Sequence, residues 1–264
     1  MHRSTLLVFA ILPVLLAGSF LQGDSAAYSA FNSDTDANGA GAQPAMPFRV
    51  GEILNYRLEW APFSNAASVQ TTVVERRELF GWQTWHFRAA VHSQPPLRTL
   101  FEVDDQFDSY TDAANLESHQ YEMYLDEMGK KQDEVQHLIA IGQANRGNVA
   151  PVIVQPGTRD PLGAFYALRA TDWKRTPELR LPLYDGSDLY EMRAWLEVPV
   201  ETVAITIGNF RATKIAIRLF MHGKEVAQTG FAVWLAQDAA RTPVLVLAEM
   251  PYGNVRGELT AMPK

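Results

Sequence analysis

Residues 160–169 constrain the fold of this chain more than any other stretch, because they combine the start signals of a helix with an apolar surface on every side. Asp160 can cap the first free backbone N–H groups, and Pro161 suits the first helical position, where an N–H would be unpaired anyway. The apolar side chains that follow surround the helix axis: Leu162, Ala164, Phe165, Tyr166, Ala167 and Leu168. A helix that is apolar all round is normally buried, and about ten residues are too few to span a membrane, which takes ~20. The stretch is therefore predicted to be a short helix wrapped by other elements.

The sequence on both sides of this stretch has the period-two alternation of β-strands. Leu54, Tyr56, Leu58 and Trp60 alternate with polar residues, and similar runs continue to residue 260, separated by turn signals such as Gly81. Roughly ten to twelve short strands are typical of an all-β barrel or sandwich. We predict a mainly β fold, in which a single curved antiparallel sheet or open barrel wraps around one short buried helix near residues 160–169.

The sequence does not decide the structure of two regions. Residues 97–112 fit either a short helix or a strand, and three aspartates four residues apart would form an acidic face on a helix. Residues 231–235 and 243–248 are apolar on both faces, although antiparallel strands usually leave one face wet. The central helix can cover one face, and a neighbouring layer, a partner or a ligand would have to cover the other. In the turn between these strands, Asp238 is expected to accept from backbone N–H groups and Arg241 to fix Asp238.

The first residues predict export. Arg3 precedes an apolar run of 11 residues at positions 6–16, and small residues at 17–19 and 25–27 fit signal-peptidase cleavage. We predict a signal peptide at 1–27, a disordered linker at 28–47 and a single β-rich domain at 48–264, located in the periplasm or secreted. An uncleaved N-terminal anchor is the alternative, but after cleavage no transmembrane span is expected.

Composition excludes several classes of function. The chain has 264 residues and no Cys, which removes disulfides, zinc thiolate sites, Cys nucleophiles and the lipid attachment of a lipoprotein. Its formal net charge of −7, without a Lys/Arg block, argues against nucleic acid as a partner.

No catalytic residue and no cofactor is predicted. The sequence contains no G-x-S-x-G elbow, phosphate-binding Gly loop or H-E-x-x-H motif. His119 and His137 are expected on adjacent strands, where a two-His metal site with Asp133 or Glu117 is an alternative to ordinary surface imidazoles. We predict no metal site, and a hydrolase with dispersed carboxylates or histidines is the least favoured function.

Five residues are candidates to line a ligand cavity: Leu162, Phe165, Tyr166, Arg169 and Trp234. If the sheet leaves space around the helix, the aromatic residues would line a lipid-sized pocket; otherwise they form a solid core. Arg169 has two interpretations as well. As a last-turn cation it favours the helix dipole and can bond free carbonyls, and alternatively it anchors an anionic head group at the mouth of the cavity.

Four segments together resemble an exported bacterial family, domain of unknown function 3108: residues 47–52 with Leu54 and Tyr56, residues 160–169, residues 208–214, and residues 233–244. Gly163 departs from that pattern, in which Ser is expected. The resemblance implies no established activity and no assigned catalytic residues. It implies a fold like that of periplasmic lipoprotein carriers, in which a curved antiparallel sheet wraps helices around an apolar cavity.

These observations favour a non-enzymatic periplasmic protein that binds a lipid or another apolar envelope component in a concave sheet. The alternative is a solid-cored envelope scaffold, which acts through a protein partner and takes no small ligand. The sequence does not indicate the oligomeric state.

Overall fold

A computed structural model describes residues 46–147, 150–227, 229–251 and 253–263. The predicted signal peptide and residues 28–45 of the predicted linker lie outside this part of the chain. The described strands are β1 (Ile53–Trp60), β2 (Phe63–Leu79), β3 (Trp82–Ser93), β4 (Asp104–Asp112), β5 (Ser118–Glu127), β6 (Lys130–Ala140), β7 (Val152–Val154), β8 (Glu178–Tyr184), β9 (Leu189–Ile205), β10 (Gly208–Met221), β11 (Lys224–Glu225), β12 (Gly230–Ala236), β13 (Pro243–Glu249) and β14 (Val255–Leu259). The α-helix α1 spans Pro161–Ala170, and a 3₁₀ turn spans Leu97–Thr99.

The strands form one continuous order, β7-β6-β5-β4-β3-β2-β1-β14-β13-β12-β10-β9-β8, and β11 pairs with β10 outside it. Neighbours along this order are antiparallel except β6 and β7, which are parallel. The segment that enters α1 crosses the gap between the two ends. The Arg159 N–H donates to the Pro182 carbonyl at 3.0 Å, and the Arg159 carbonyl accepts from the Tyr184 N–H at 2.9 Å. The sheet is therefore a nearly closed barrel around one short helix, which confirms the predicted fold class.

The helix begins where the sequence predicts. Asp160 accepts a hydrogen bond from the Gly163 N–H at 2.8 Å, and the hydroxyls of Ser109 and Ser118 also donate to its carboxylate. Burial raises the pKa of Asp160, although these hydrogen bonds act in the opposite direction. This N-cap therefore fastens the start of α1 to β4 and β5.

Gly163 explains how closely α1 approaches the sheet. A Cβ atom at this position would lie 2.9 Å from Thr111 Cγ2 and 3.1 Å from Ser118 Oγ. Glycine normally weakens a helix interior by ~1 kcal/mol relative to Ala. Here the missing side chain leaves the space that β4 and β5 occupy, so Gly163 has a steric reason in this chain.

The helix is buried between two halves of the barrel. Ala164 and Leu168 pack on one hydrophobic cluster, built from β1, β2, β8, β9, β10 and β12–β14. Leu162 and Tyr166 pack on a second cluster, built mainly from β2–β5. Both Leu162 and Tyr166 are 0% exposed, which confirms that an apolar helix lies inside a curved β-wall.

The outer cover of the two-sided apolar strands comes from the chain itself. The long β9–β10 hairpin folds over β12–β14, where Ile205 belongs to the hydrophobic cluster and is 8% exposed. The Thr206 N–H donates to Glu258 of β14 at 2.9 Å, and Arg256 donates to the Ala204 carbonyl at 3.2 Å. Of the three covers considered from the sequence, a neighbouring layer is therefore the one observed.

The structure defines the secondary structure of two segments that the sequence pattern left unresolved. The ambiguous segment 97–112 is a 3₁₀ turn followed by β4, and Asp104, Asp108 and Asp112 share one face because four is also a multiple of the strand period. Within the alternating runs that continue to residue 260, residues 224–236 form two separate strands, β11 and β12. In the part of the chain that the structure describes, no helix has the length and apolarity needed to cross a bilayer.

Candidate functional site

A small apolar cavity lies inside the barrel, between α1 and the sheet. Its volume is about 40 Å³. Side chains of α1, β1, β2, β9, β10 and β12–β14 line it, and they include Tyr56, Leu58, Val69, Thr71, Phe165, Leu168, Met192, Phe231, Val233 and Val246. An engineered apolar cavity of about 150 Å³ binds benzene, whereas one water occupies about 30 Å³ of liquid. As it stands, the cavity has room for one small group and a surface that favours an apolar one.

Of the five residues predicted to line a cavity, Phe165 borders this one. Its side chain is half-buried, unlike most of α1. Leu162 and Tyr166 lie on another side of the helix, where Tyr166 stacks on Phe87 with ring centroids 3.7 Å apart. Phe165 is therefore the member of the predicted set that separates the cavity from its surroundings.

Trp234 lies outside the barrel wall. It follows the cavity-lining Val233 on β12, so its side chain points to the opposite face of the sheet. Its indole N–H donates to Glu201 Oε1 at 2.6 Å, and Lys214 Nζ lies 5.1 Å from the ring centroid. The long β9–β10 hairpin thus shields Trp234, which does not meet Phe165 at the cavity.

Arg169 forms an interior ion pair and does not border the cavity. Its guanidinium is 0% exposed, and it contacts the Glu52 carboxylate with both terminal nitrogens, at 2.6 and 3.1 Å. It also donates to the Ala240 carbonyl at 3.0 Å. Burial opposes the charge of Arg169, but the hydrogen bonds and charge of Glu52 outweigh this effect and raise the pKa of Arg169. In this arrangement the anionic partner of Arg169 is Glu52.

Arg241 binds the free carbonyls at the end of α1, the task that the sequence suggested for Arg169. Its guanidinium donates to the carbonyls of Arg169, Ala170 and Thr171 at 2.8–3.0 Å. The sequence also predicted that Arg241 fixes Asp238, but the Asp238 carboxylate instead accepts from the Thr242 N–H at 3.0 Å and from the Thr242 hydroxyl at 2.7 Å. The β12–β13 turn therefore caps the helix from outside.

Tyr56 and Thr71 are the hydroxyl-bearing residues that line the cavity. The Tyr56 hydroxyl donates to the Pro243 carbonyl at 2.9 Å. Burial raises the pKa of Tyr56 and of Tyr166, and the positive charge of Arg169 lowers both only in part. The neutral phenols are therefore hydrogen-bonding groups and not bases.

His119 and His137 are buried, and each contacts an aromatic ring. His119 stacks on Trp82 with centroids 5.1 Å apart, and His137 meets Phe80 edge-on at 4.2 Å. Burial lowers the pKa of His137. Among the described residues, no three His, Asp or Glu side chains are placed to hold a metal ion, so His119 and His137 do not form the two-His site with Asp133 or Glu117.

Sequence reasoning overlooked Glu52 and Thr71. Glu52 belongs to a family-like segment, and nothing in the residues around it indicates that it is buried beside Arg169. Thr71 follows Ala67 and Val69 at the inward positions of β2, and a polar residue in such a series is the available signal.

The comparisons agree with the architecture. The family described as "Protein of unknown function (DUF3108)" matches residues 55–260. No curated protein matches the chain. Among solved structures, a β-barrel-like protein of domain of unknown function DUF1849 from Brucella abortus is similar, with 11% identity, a TM-score of 0.51, and coverage of 80% of this chain and 96% of that chain. At this identity the likeness concerns the fold alone.

Two further solved structures are more distant. A candidate lipoprotein from Parabacteroides distasonis has 11% identity and a TM-score of 0.39, with 82% of this chain and 96% of that chain covered. A candidate exported protein with a YmcC-like fold from Bacteroides fragilis has 12% identity and a TM-score of 0.37, with 83% and 98% covered.

Proposed function

The chain belongs to the DUF3108 family of proteins of unknown function, and we propose that it is a non-enzymatic cell-envelope protein that binds an acyl chain of a lipid inside its barrel. The single observation that supports this proposal is the apolar cavity beside the half-buried Phe165. Protein interiors are close-packed, and voids larger than a water molecule are few in each domain. The predicted signal peptide supports a location in the periplasm or outside the cell.

The cavity is too small for an acyl chain, so a side chain must move before the chain can enter. About 40 Å³ admits one methyl or methylene group, far less than an acyl chain. A chain can enter only if Phe165 turns out of its place and the space that its ring occupies joins the cavity. The neighbours on α1 are fixed by the N-cap at Asp160 and by the Arg241 cap, so rotation of the Phe165 side chain is the smallest change that enlarges the site.

Substitutions at Phe165 test this function. Phe165→Ala should join the ring volume to the cavity and increase uptake of a fluorescent fatty acid, while Phe165→Trp should fill the cavity and decrease uptake. Leu138→Ala is the matched control, because Leu138 is 2% exposed and lies in the other hydrophobic cluster. It should reduce stability without changing uptake.

Native mass spectrometry detects bound lipid directly. The purified exported chain should show lipid adducts, and Phe165→Trp should show fewer. A spectrum free of adducts, together with no uptake by the wild type or by Phe165→Ala, would contradict lipid binding.

A second candidate is a solid-cored scaffold that acts through a protein partner. The observation that favours it is the same small volume, about a quarter of the benzene-binding cavity of about 150 Å³. Proximity labelling from the exported chain should then identify one stable partner. Because the interior plays no part, labelling of that partner should be the same for Phe165→Ala and Phe165→Trp as for the wild type.

A further inference from the structure

We propose that residues 142–147 form a pH-sensitive latch, which lies against His137 at neutral pH and is released when His137 takes up a proton. This inference concerns the connection between β6 and β7 and does not depend on the proposed lipid site. It comes from a cluster on the barrel in which two buried histidines, two aromatic rings and the segment 142–147 are in contact.

The segment 142–147 covers this cluster at two points. Arg146 Cζ lies 4.8 Å from the centre of the Trp82 ring, a cation–π contact with the start of β3. At Gly147, a Cβ atom would lie 3.3 Å from Cδ2 and Nε2 of His137 and 3.3 Å from Cε1 of Phe80. The backbone at Gly147 therefore lies directly against the His137 ring, which is 6% exposed.

A β-bulge brings the second histidine into the cluster. The pairing of β4 with β5 changes register between Tyr110 and Thr111, which leaves His119 as an extra residue in β5. The His119 ring stacks on Trp82, and the His119 backbone contacts the His137 ring. The two imidazoles therefore share one buried environment.

This environment disfavours a proton on His137. Burial lowers the pKa of His137 most, contact with the His119 backbone raises it in part, and the charge of the His119 imidazole lowers it again. The other charged groups that face the cluster are Arg146 and Asp112, whose carboxylate lies 3.7 Å from His119 Nε2. Asp112 favours a proton on His119, so a proton on His137 would add a second positive charge that is sheltered from water.

The difference in pKa links the proton to release of the segment. A solvent-exposed histidine has a pKa of about 6.5, and the pKa of His137 beneath the segment is lower, so the released state binds more protons. Docking of the segment is therefore complete above about pH 6.5 and weakens as the pH falls below this value. If the docked state binds no proton at His137, the docking equilibrium shifts by about 30-fold between pH 7.5 and pH 5.

NMR titration of the purified protein tests the latch. The His137 ring should titrate below its ordinary pKa, and the Gly147 amide and the Trp82 indole N–H should shift with the same midpoint. His137→Gln keeps a polar side chain that takes up no proton, so it should abolish the shift of the Gly147 amide between pH 7.5 and pH 5. His92→Gln is the matched control, because His92 is on the same sheet but its side chain is 52% exposed and pairs with Asp104.

Gly147→Val tests the linkage from the other side. A side chain at this position would push the segment off His137 and Phe80, so the pKa of His137 should rise toward about 6.5 without any change to the histidine itself. The proposal is overturned if His137 of the wild type titrates at or above about 6.5, or if its pKa is the same in Gly147→Val. It is also overturned if the Gly147 amide of His137→Gln keeps the pH dependence of the wild type.

Discussion

The Arg169–Glu52 pair gives the sharpest prediction about stability. Arg169 is 0% exposed, its side chain is held by Glu52 at 2.6 and 3.1 Å, and the Ala240 carbonyl accepts from it at 3.0 Å. Arg169→Met would leave a buried carboxylate and a buried carbonyl without their donor. Removal of one partner of such a pair typically costs about 3–5 kcal/mol.

That cost is large relative to the whole molecule. Globular domains are stable by only about 5–15 kcal/mol, and 1 kcal/mol shifts the Tm of a domain of ~200 residues by about 2–4 °C. Arg169→Met should therefore lower the Tm by about 6–20 °C. The double variant Glu52→Leu/Arg169→Met should recover most of the loss, because apolar residues that replace both partners leave no unpaired charge.

Urea denaturation followed by far-UV circular dichroism measures these free energies, and the m-value reports whether the unfolding transition has changed. Arg180→Met is the control, because the Arg180–Glu178 pair is about half exposed and should contribute less than about 1 kcal/mol. The reasoning is refuted if Arg169→Met unfolds within about 1 kcal/mol of the wild type. It is also refuted if the double variant is as unstable as the single one.

Three further variants test other contacts. Gly163→Ala should lower the free energy of unfolding by about 1–2 kcal/mol, because overpacking against Thr111 outweighs the gain in helix propensity of ~1 kcal/mol. A higher Tm in thermal unfolding would contradict this prediction. Arg241→Met should cost about 1–3 kcal/mol by uncapping α1, and hydrogen exchange should become faster in the last turn of the helix but not in its first turn. Burial, with smaller contributions from neighbouring acids, raises the pKa of Asp105 to about 7. Between about pH 4 and 7 the folded state therefore binds more protons than the unfolded state. The free energy of unfolding falls as the pH rises through this window. Asp105→Asn should therefore be more stable than the wild type by about 2–4 kcal/mol at pH 8, because one pKa unit corresponds to about 1.4 kcal/mol. Equal slopes of stability against pH for the two proteins would argue against a raised pKa.

Much of the fold follows from patterns that are local in sequence. The cap at Asp160 and the apolar surface of α1 predicted a buried helix, and alternation in residues 54–60 predicted an inward face that the structure confirms. Both signals depend on chain geometry that repeats over a few residues, and each was sufficient without knowledge of distant contacts.

The partners of the site were not predictable in this way. Glu52 and Arg169 are 117 positions apart, and Arg241 reaches the end of α1 from 70–72 positions away. Trp234 shows the same limit, because both faces of its strand are apolar and nothing local indicates which face meets the helix. Register and closure of the barrel decide these contacts, and both arise from pairings between strands far apart in the chain.

Photolabelling tests most directly whether the interior beside Phe165 receives an acyl chain. The purified protein would be irradiated with a fatty acid that carries a diazirine in its chain, and labelled peptides would be mapped by mass spectrometry with and without competing unlabelled lipid. We predict saturable, competed labelling at Phe165, Met192 and Phe231, which line the cavity. Labelling confined to exposed apolar residues such as Ile141 and Ile153, or labelling that competitor does not reduce, would contradict the proposal.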